Sequence, residues 1–510
     1  MNETGSYWLL RSWCPTELVE HAQWFMSDHC RNKDFTCFCI ALSYGKQPET
    51  CMPDLDQPLS KTIFLITLIL FPFSSSVALE KLKQKSFYVM DGDCCGGEES
   101  DPHAVHGIET ESGAFILTGK IIDESGMEDG FIVKVPNSLP DEKIFLHEDE
   151  DFNIDWSLKI GSENKRDGLN STALLKDAIF TGGYLENQRG IIERHLIKLN
   201  ERTGDLIWAQ SYPSKNNKRE SAIESITPSL NKGLIIAGVK NSEEGTIEGF
   251  KSYGNPATGD AFVIYFSEEK ISSEVAPDGP TWEIDIPGTL SGKHIVEAPD
   301  NDGYILAAHS DGETAEAKIV KISSMGELEW TLDVPSHGEV TAIAATNKGY
   351  FISGHKFDQF DGIDASISKI SLGGKFIWNK TYGNPSGGET IFAGLDGGNP
   401  KFIYDECWGI TQFQNGLVVA CGTGIEDCEE LSVKNQSDCE SDPRSIWRSY
   451  LLNIDFSGNL IWERATSFTF DDEEEDDVPS TASEWVFTNA NGSIVSVVDL
   501  SFGFGLEVLQ

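Results

Sequence analysis

The chain of 510 residues carries 82 acidic and 39 basic side chains, which gives it a net charge of -43. A surface this acidic repels phosphate groups, so it argues against a nucleic-acid partner and favours solubility, weak cation binding or a basic partner. Hydrophobic residues make up 39% of the sequence, and its 48 glycines and 12 tryptophans suit many strands joined by tight turns.

The first element along the chain is an apolar segment that follows Lys61. The run Thr62–Phe73 is about 12 residues long, whereas a membrane-spanning helix needs about 20. Small residues from Ser74 to Ala78 then resemble a signal-peptidase cleavage site. One interpretation is a cleaved signal peptide in a chain that starts at Met52, which would make residues 1–51 an artefact of the gene model. The other is an uncleaved signal-anchor with residues 1–60 on the cytoplasmic side.

Both interpretations place the rest of the chain in the secretory lumen. We therefore predict a non-globular extension over residues 1–60, a signal peptide or signal-anchor over residues 61–78, and a folded region over residues 86–510. The predicted location is extracellular, or membrane-anchored with the folded region on the lumenal or extracellular side. Any membrane contact would be made through residues 62–79.

Six cysteines follow this segment, and an even number in an oxidising compartment predicts disulfides. Cys407 and Cys421 flank a turn at residues 414–416 and could face each other across a hairpin, whereas Cys428 and Cys439 bracket a polar insertion. The disulfide candidates are Cys94, Cys95, Cys407, Cys421, Cys428 and Cys439. Four Asn-x-Ser/Thr sequons after the apolar segment are candidate glycosylation sites: Asn170, Asn379, Asn435 and Asn491.

An internal repeat occupies the predicted folded region. Each copy has an apolar strand that usually ends in a small residue, then a strand with apolar second and fifth positions, then a Gly-containing turn and a strand ending in Trp. The first two strings occur seven times. The fourth position of the second string is Lys in four copies, which we interpret as a solvated position. The third string occurs six times, at Trp156, Trp208, Trp282, Trp330, Trp378 and Trp462.

The seventh copy lacks its last strand because the sequence stops at Gln510. An unassigned strand, residues 86–90, lies just after the apolar segment. A closed ring would use this strand to complete the last unit and remove an open sheet edge. These features predict an all-β, seven-bladed β-propeller of four-stranded antiparallel blades, with the N-terminal strand closing the last blade.

The string Thr203–Trp208 resembles the blade motif of the quinoprotein (PQQ-enzyme-like) propeller superfamily. The resemblance covers about residues 86–510 and implies architecture, without an activity. Quinoprotein dehydrogenases place a ring formed by adjacent cysteines over their cofactor, so Cys94 and Cys95 would fit that role. Against it, the pair precedes the first full blade, no stretch matches the other cofactor ligands, and those enzymes have eight blades.

Other candidate sites carry weaker signals. The spacing of His103 and His106 is unlike that of a zinc site, so we expect a structural role for both. The acidic run 471–477 could bind Ca²⁺ weakly, but it lacks the spacing of a defined calcium loop. Trp408, Trp447 and Trp485 fall outside the repeated position, which makes them candidates for a binding surface.

These observations predict a secreted or lumenal, monomeric, non-catalytic propeller that binds or scaffolds a protein or glycan ligand without a cofactor. A quinoprotein-like oxidoreductase and a glycan hydrolase are the alternatives. The sequence lacks the sialidase repeat, because the distance from Gly to Trp is one residue longer and the Asp is absent or displaced. Because repeated residues build the fold, we expect function to depend on residues that do not repeat.

Overall fold

Four-stranded antiparallel sheets, repeated along the chain, are the main feature of the computed structural model. The described residues are 84–90, 101–122, 127–139, 144–146, 154–162, 164–214, 218–229, 231–243, 245, 247, 258–299, 302–311, 316–357, 363–383, 403–425, 447–466, 480–500 and 503–510. Cys94, Cys95, Cys428, Cys439, Asn435 and the segments 1–60, 61–78 and 471–477 lie outside them. No helix within the described ranges is long and apolar enough to cross a membrane.

The described strands fall into seven four-stranded groups, which we number blade 1 to blade 7, and a single parallel bridge from Ile363 to Tyr404 joins blades 5 and 6 into one sheet. Blade 1 comprises β2 (Asp101–Glu109), β3 (Phe115–Ile122), β4 (Glu128–Val135) and β6 (Trp156–Ile160). Blade 2 comprises β7 (Gly168–Leu175), β8 (Ala178–Glu186), β9 (Ile192–Asn200) and β10 (Leu206–Ser211). Blade 3 comprises β11 (Glu220–Pro228), β12 (Leu234–Ser242), β13 (Asp260–Phe266) and β14 (Trp282–Ile286). One short helix, α1 (Glu268–Ile271), joins β13 to β14.

The remaining blades follow the same order. They comprise β15 (Thr289–Glu297), β16 (Tyr304–Ser310), β17 (Ala317–Ile322) and β18 (Leu328–Val334); β19 (Glu339–Thr346), β20 (Gly349–Phe357), β21 (Ile363–Ile370) and β22 (Phe376–Tyr382); β23 (Ile403–Phe413), β24 (Gly416–Ile425), β25 (Arg448–Asp455) and β26 (Leu460–Thr466); and β27 (Thr481–Thr488), β28 (Ile494–Leu500), β29 (Gly503–Leu509) and β1 (Gln84–Met90).

The blades form a closed ring around a central channel. The first strand of each blade packs against the first strand of the next, and β27 of blade 7 contacts β2 of blade 1. Strand β1 pairs antiparallel with β29, and the register runs from Gln84 opposite Leu509 to Met90 opposite Gly503. The predicted propeller architecture and its closure by an N-terminal strand are therefore confirmed. A further strand, β5 (Ile144–Leu146), comes from the β4–β6 connection and pairs in parallel with β1.

The repeated glycine and tryptophan meet between blades, at the end of the ring where third strands turn into fourth strands. We call this end the lower rim and define it by the turns 200–205, 323–327, 371–375 and 455–459. Gly374, for example, has a φ of 73°, and a β-carbon there would lie 2.8 Å from Trp330 Cδ2 of the preceding blade. The same approach joins Trp156 to Gly204, Trp282 to Gly326 and Trp378 to Gly458. The motif therefore encodes contacts between neighbouring blades.

The repeated lysine makes a second contact at the lower rim. Lys134 Nζ donates to Glu201 Oε1 at 2.6 Å, and Lys369 Nζ donates to the Phe456 carbonyl at 3.0 Å. Both acceptors lie in the turn of the next blade. Lys134 is buried and Lys369 is half-buried, so the prediction of a solvated position is wrong. The ammonium group instead donates to the turn of the next blade, to a carboxylate from Lys134 and to a backbone carbonyl from Lys369.

Blade 3 lacks the Gly-containing turn but keeps the contact. Lys198 Nζ donates to the Ile271 and Ser273 carbonyls at 2.8 and 3.1 Å, and Trp208 Nε1 donates to the Ser273 carbonyl at 3.2 Å. Ile271 ends α1, and Ser273 follows it. This insertion therefore replaces a turn in blade-to-blade packing.

Candidate functional site

A β-bulge interrupts the first strand of every blade. In β2, for example, Ala104 pairs with Gly119 and His106 pairs with Thr118, so Val105 has no partner across the ladder. The seven bulged residues, which we call the collar, are Val105, Asn170, Glu224, Lys293, Thr341, Trp408 and Glu484. First strands line the channel, and bulges commonly re-aim side chains. The collar is thus a ring of seven re-aimed positions around the axis.

The repeated glycine that ends the second strand is explained by the bulge. Gly119, Gly238 and Gly354 lie opposite the residue that precedes the bulge. A β-carbon at Gly119 would lie 1.8 Å from the His103 carbonyl oxygen, and one at Gly354 would lie 1.9 Å from the Glu339 carbonyl oxygen. The glycine is needed because the bulged backbone approaches so closely.

Collar side chains connect neighbouring blades by hydrogen bonds to backbone carbonyls. Asn170 Nδ2 donates to the Ile223 carbonyl at 2.8 Å, and Thr341 Oγ1 donates to the Cys407 carbonyl at 2.6 Å. Both acceptors immediately precede the bulge of the next blade. The side chain of one collar residue therefore reaches the first strand of the following blade, along the free edge that faces the channel.

Aromatic residues that follow the bulge in three blades meet at the axis. Ring centroids of His294 in blade 4 and Trp485 in blade 7 are 5.0 Å apart. Blades 4 and 7 are not neighbours, so this contact crosses the channel. Trp485 also lies against His106 of blade 1, with ring centroids 4.3 Å apart. Three aromatic rings therefore meet inside the channel, where Ala342 and Gly409 at the equivalent positions leave room for the indole.

An acid–histidine cluster lies beside the collar, at the start of the first strands of blades 5 and 6. His355 Nε2 lies 3.4 Å from Glu339 Oε2, and the Glu339 side chain is 21% exposed. Glu406 is buried. Burial would lower the pKa of His355, but the charges of Glu406 and Glu339 outweigh it and raise that pKa.

The pKa values of the two carboxyl groups in this cluster are shifted in opposite directions. Burial raises the pKa of Glu406 despite the opposing charge of His355. Burial would also raise the pKa of Glu339, but the hydrogen bond and charge of His355 hold it below the usual value. Lys293 and His309 act on the same carboxylate. The arrangement therefore holds two carboxyl groups whose pKa values are shifted in opposite directions, and both act on His355.

The predicted tryptophan surface is corrected by the structure. Trp408 and Trp485 are buried, and Trp447 is half-buried with its ring centroid 6.2 Å from that of Trp408. Trp408 is a collar residue, and Trp485 follows the bulge in blade 7. Trp408 and Trp485 lie on channel-lining first strands and Trp447 precedes the third strand of blade 6, so the three indoles do not form one exposed surface.

One of the predicted glycosylation sites is also corrected, and Asn379 stays a prediction. Asn170 is buried and its Nδ2 is bonded to the Ile223 carbonyl, so a glycan cannot be attached in the folded chain. Asn379 is half-buried, and its Nδ2 donates to Ser366 Oγ at 2.8 Å and Ser368 Oγ at 3.0 Å. Asn491 is exposed in the turn between β27 and β28 and stays a prediction.

The remaining candidates have structural partners. Cys407 and Cys421 face each other across β23 and β24 and form a disulfide. His103 Nδ1 lies 2.9 Å from Asp499 Oδ2 of blade 7, which joins the first and last blades. His106 lies in the channel beside Trp485. Within the described ranges, no group of three or more His, Cys, Asp or Glu side chains is arranged to hold a metal ion.

No protein-family model matches the chain, and no curated protein sequence matches it. Similar solved structures include the quinohemoprotein alcohol dehydrogenase of Comamonas testosteroni, at 11% identity and a TM-score of 0.40, with 81% of this chain and 66% of that chain covered. Kuenenia stuttgartiensis hydrazine synthase is 8% identical with a TM-score of 0.37, covering 72% of this chain and 96% of that one. A glucose dehydrogenase is 10% identical with a TM-score of 0.36, covering 67% and 96%.

The first of these structures is a quinoprotein, the class that the turn motif resembles. At this level of similarity, the fold assignment rests on the strand pairing and ring closure described above. The collar was not predicted from the sequence, because a bulge has no residue signature of its own. Its indirect signal is the glycine that ends the second strand.

Proposed function

We propose that the protein is a non-catalytic binding propeller, secreted or held outside the cytoplasm, that takes a protein or glycan ligand at its channel. The observation that carries this proposal is the difference between collar and lower rim. Rim contacts repeat one Gly–Trp approach at four pairs of neighbouring blades, whereas the seven collar residues include an amide, two carboxylates, an ammonium, a hydroxyl and an indole. Variation at equivalent positions of a repeat supports binding.

The net charge limits the kinds of ligand that fit this proposal, and the disulfide bears on the compartment. The net charge of -43 favours a basic ligand surface and disfavours nucleic acid. The Cys407–Cys421 disulfide fits an oxidising compartment. The proposal requires no cofactor and a single copy of the chain, with any membrane contact made through residues 62–79.

The proposal is tested with the purified chain on a glycan array and by affinity capture from the extracellular medium, alongside its absorption spectrum and metal content. We expect a reproducible protein or glycan ligand and no quinone absorption. Bound quinone, or Ca²⁺ at one equivalent, would refute the cofactor-free proposal and favour the quinoprotein alternative. N-terminal sequencing gives the compartment: a start near Leu79 supports cleavage, and recovery of residues 1–60 refutes it.

A second function, glycan hydrolysis, is favoured by the acid–histidine cluster. Glycoside hydrolysis uses one protonated and one ionised carboxyl group. Glu406, with its raised pKa, would donate a proton to the leaving oxygen, and Glu339, with its lowered pKa, would activate water. Hydrolysis of aryl glycosides that falls about 100-fold or more in Glu406→Gln and in Glu339→Gln would support it. Equal activity in the variants would rule out this site.

A further inference from the structure

We infer that the chain binds a primary ammonium group through Glu224, at the place where the first strands of blades 3 and 4 meet. We call the place where two neighbouring first strands meet a slot. This inference deepens the proposed function, because it names a ligand group for the same channel. It begins from Glu224, the bulged residue of β11. Its side chain is 4% exposed, and Glu224 Oε2 has no hydrogen-bond partner among the described residues.

Two equivalent slots between other blades contain a side-chain hydrogen-bond donor that this slot lacks among the described residues. Between blades 2 and 3, the amide of Asn170 donates to the carbonyl that precedes the next bulge, and between blades 5 and 6 the hydroxyl of Thr341 does the same. Between blades 3 and 4, the equivalent carbonyl belongs to Gly292, since Lys293 is the next bulged residue. A carboxylate accepts hydrogen bonds and donates none. Glu224 therefore brings an acceptor to a position where the other two slots have a donor.

Neighbouring side chains do not supply that donor. Ser225 Oγ accepts from the Ile295 backbone N–H at 3.2 Å, and the collar cation Lys293 acts electrostatically on Glu339 and His309. Ser291 Oγ, one residue before Gly292, is also buried without a partner among the described residues. A buried carboxylate is costly unless it is paired, so its retention calls for an external partner.

A primary ammonium group meets these requirements. It carries a positive charge for the carboxylate and three N–H donors, enough for Glu224, a carbonyl and a hydroxyl together. The group could belong to a lysine side chain of a protein ligand or to a free amine, and the acidic surface would attract either.

The test is a titration of the purified chain with methylammonium, n-butylammonium and a lysine-containing peptide, followed by thermal shift and calorimetry. Tetramethylammonium is the ligand control, because it has the charge without N–H donors. We expect Glu224→Gln to weaken amine binding by about tenfold or more, whereas Glu111→Gln, which removes the same charge from an exposed turn, leaves it unchanged. Tighter binding of the peptide than of n-butylammonium would identify a protein ligand as the source, and the reverse a free amine.

Equal amine affinity in Glu224→Gln and the parent chain would overturn the inference, as would equal binding of tetramethylammonium or no binding of any amine. If Glu224→Gln does not fold, Glu224→Ala is measured in the same way. A chain that binds a glycan or protein but no amine would refute this inference and leave the proposed function in place. Amine binding with no glycan or protein ligand would support the site and refute the broader proposal.

Discussion

The lower rim and the collar are built from the same repeat but differ in what they conserve from blade to blade. At the rim, Trp330 covers Gly374 as Trp156 covers Gly204, so one contact is copied at four of the blade-to-blade interfaces. At the collar, the backbone bulge is copied while the side chain changes, from Asn170 to Glu224 to Trp408. Repetition of a contact builds the fold, and repetition of a position with a changing side chain leaves room for recognition.

Replacing a rim tryptophan should have the largest effect on stability, and it tests whether rim contacts hold the blades together. Trp330→Ala should lower the free energy of unfolding by about 3 kcal/mol, because the indole packs between Tyr350 and the Gly374 turn. Trp330→Phe should lose less than half of that. Urea denaturation measures both variants. A loss in Trp330→Ala smaller than that in Trp330→Phe would show that the indole does not hold the blades together.

We expect a buried histidine near the channel to make the folded chain less stable in acid. Burial lowers the pKa of His309 to about 3, so the unfolded chain binds a proton between about pH 6.5 and pH 3 that the folded chain does not. Stability is therefore full above pH 6.5 and falls as the pH falls, by about 3 kcal/mol at pH 4.5 from this residue. His309→Gln can still donate to the Val340 carbonyl, and it should lose the part of the pH dependence of stability that His309 contributes. An unchanged pH profile in denaturation would contradict the assignment.

Gly374→Ala tests the rim from the other side of the same contact. The added β-carbon meets Trp330 at 2.8 Å, and the φ of 73° is unfavourable for alanine, so we expect a loss of about 2 kcal/mol. Gly373→Ala is the matched control, because a β-carbon there meets nothing within 4 Å. Thermal unfolding should separate the two variants, and equal melting temperatures would remove the reason for the repeated glycine.

The smallest expected effect is at the collar. Asn170→Asp replaces a donor with an acceptor facing the Ile223 carbonyl, which recreates the situation of Glu224. We expect a loss of about 1 kcal/mol and a new weak affinity for methylammonium. Asn170→Ser, which keeps a donor, should not gain that affinity. Thermal shift measures both effects, and amine binding by neither variant would argue that two facing acceptors alone do not make the site.

The sequence predicted the fold because rim contacts repeat as residues. Lys134, Gly204 and Trp156 each have counterparts in other blades, and the missing last strand of blade 7 indicated that β1 would complete it. The collar could not be predicted, because a register shift is a property of the backbone. Trp408 and Trp485 were interpreted as surface residues since they do not repeat, yet the bulge turns them inward.

The most direct test of the division between rim and collar is one thermal-shift titration with n-butylammonium on three proteins: the parent chain, Glu224→Gln and Gly374→Ala. The account predicts that Gly374→Ala melts at a lower temperature but gains the same increment from the amine as the parent chain. Glu224→Gln should melt at or above the parent temperature and gain no increment. The opposite pattern, with the increment lost in Gly374→Ala and kept in Glu224→Gln, would contradict the account.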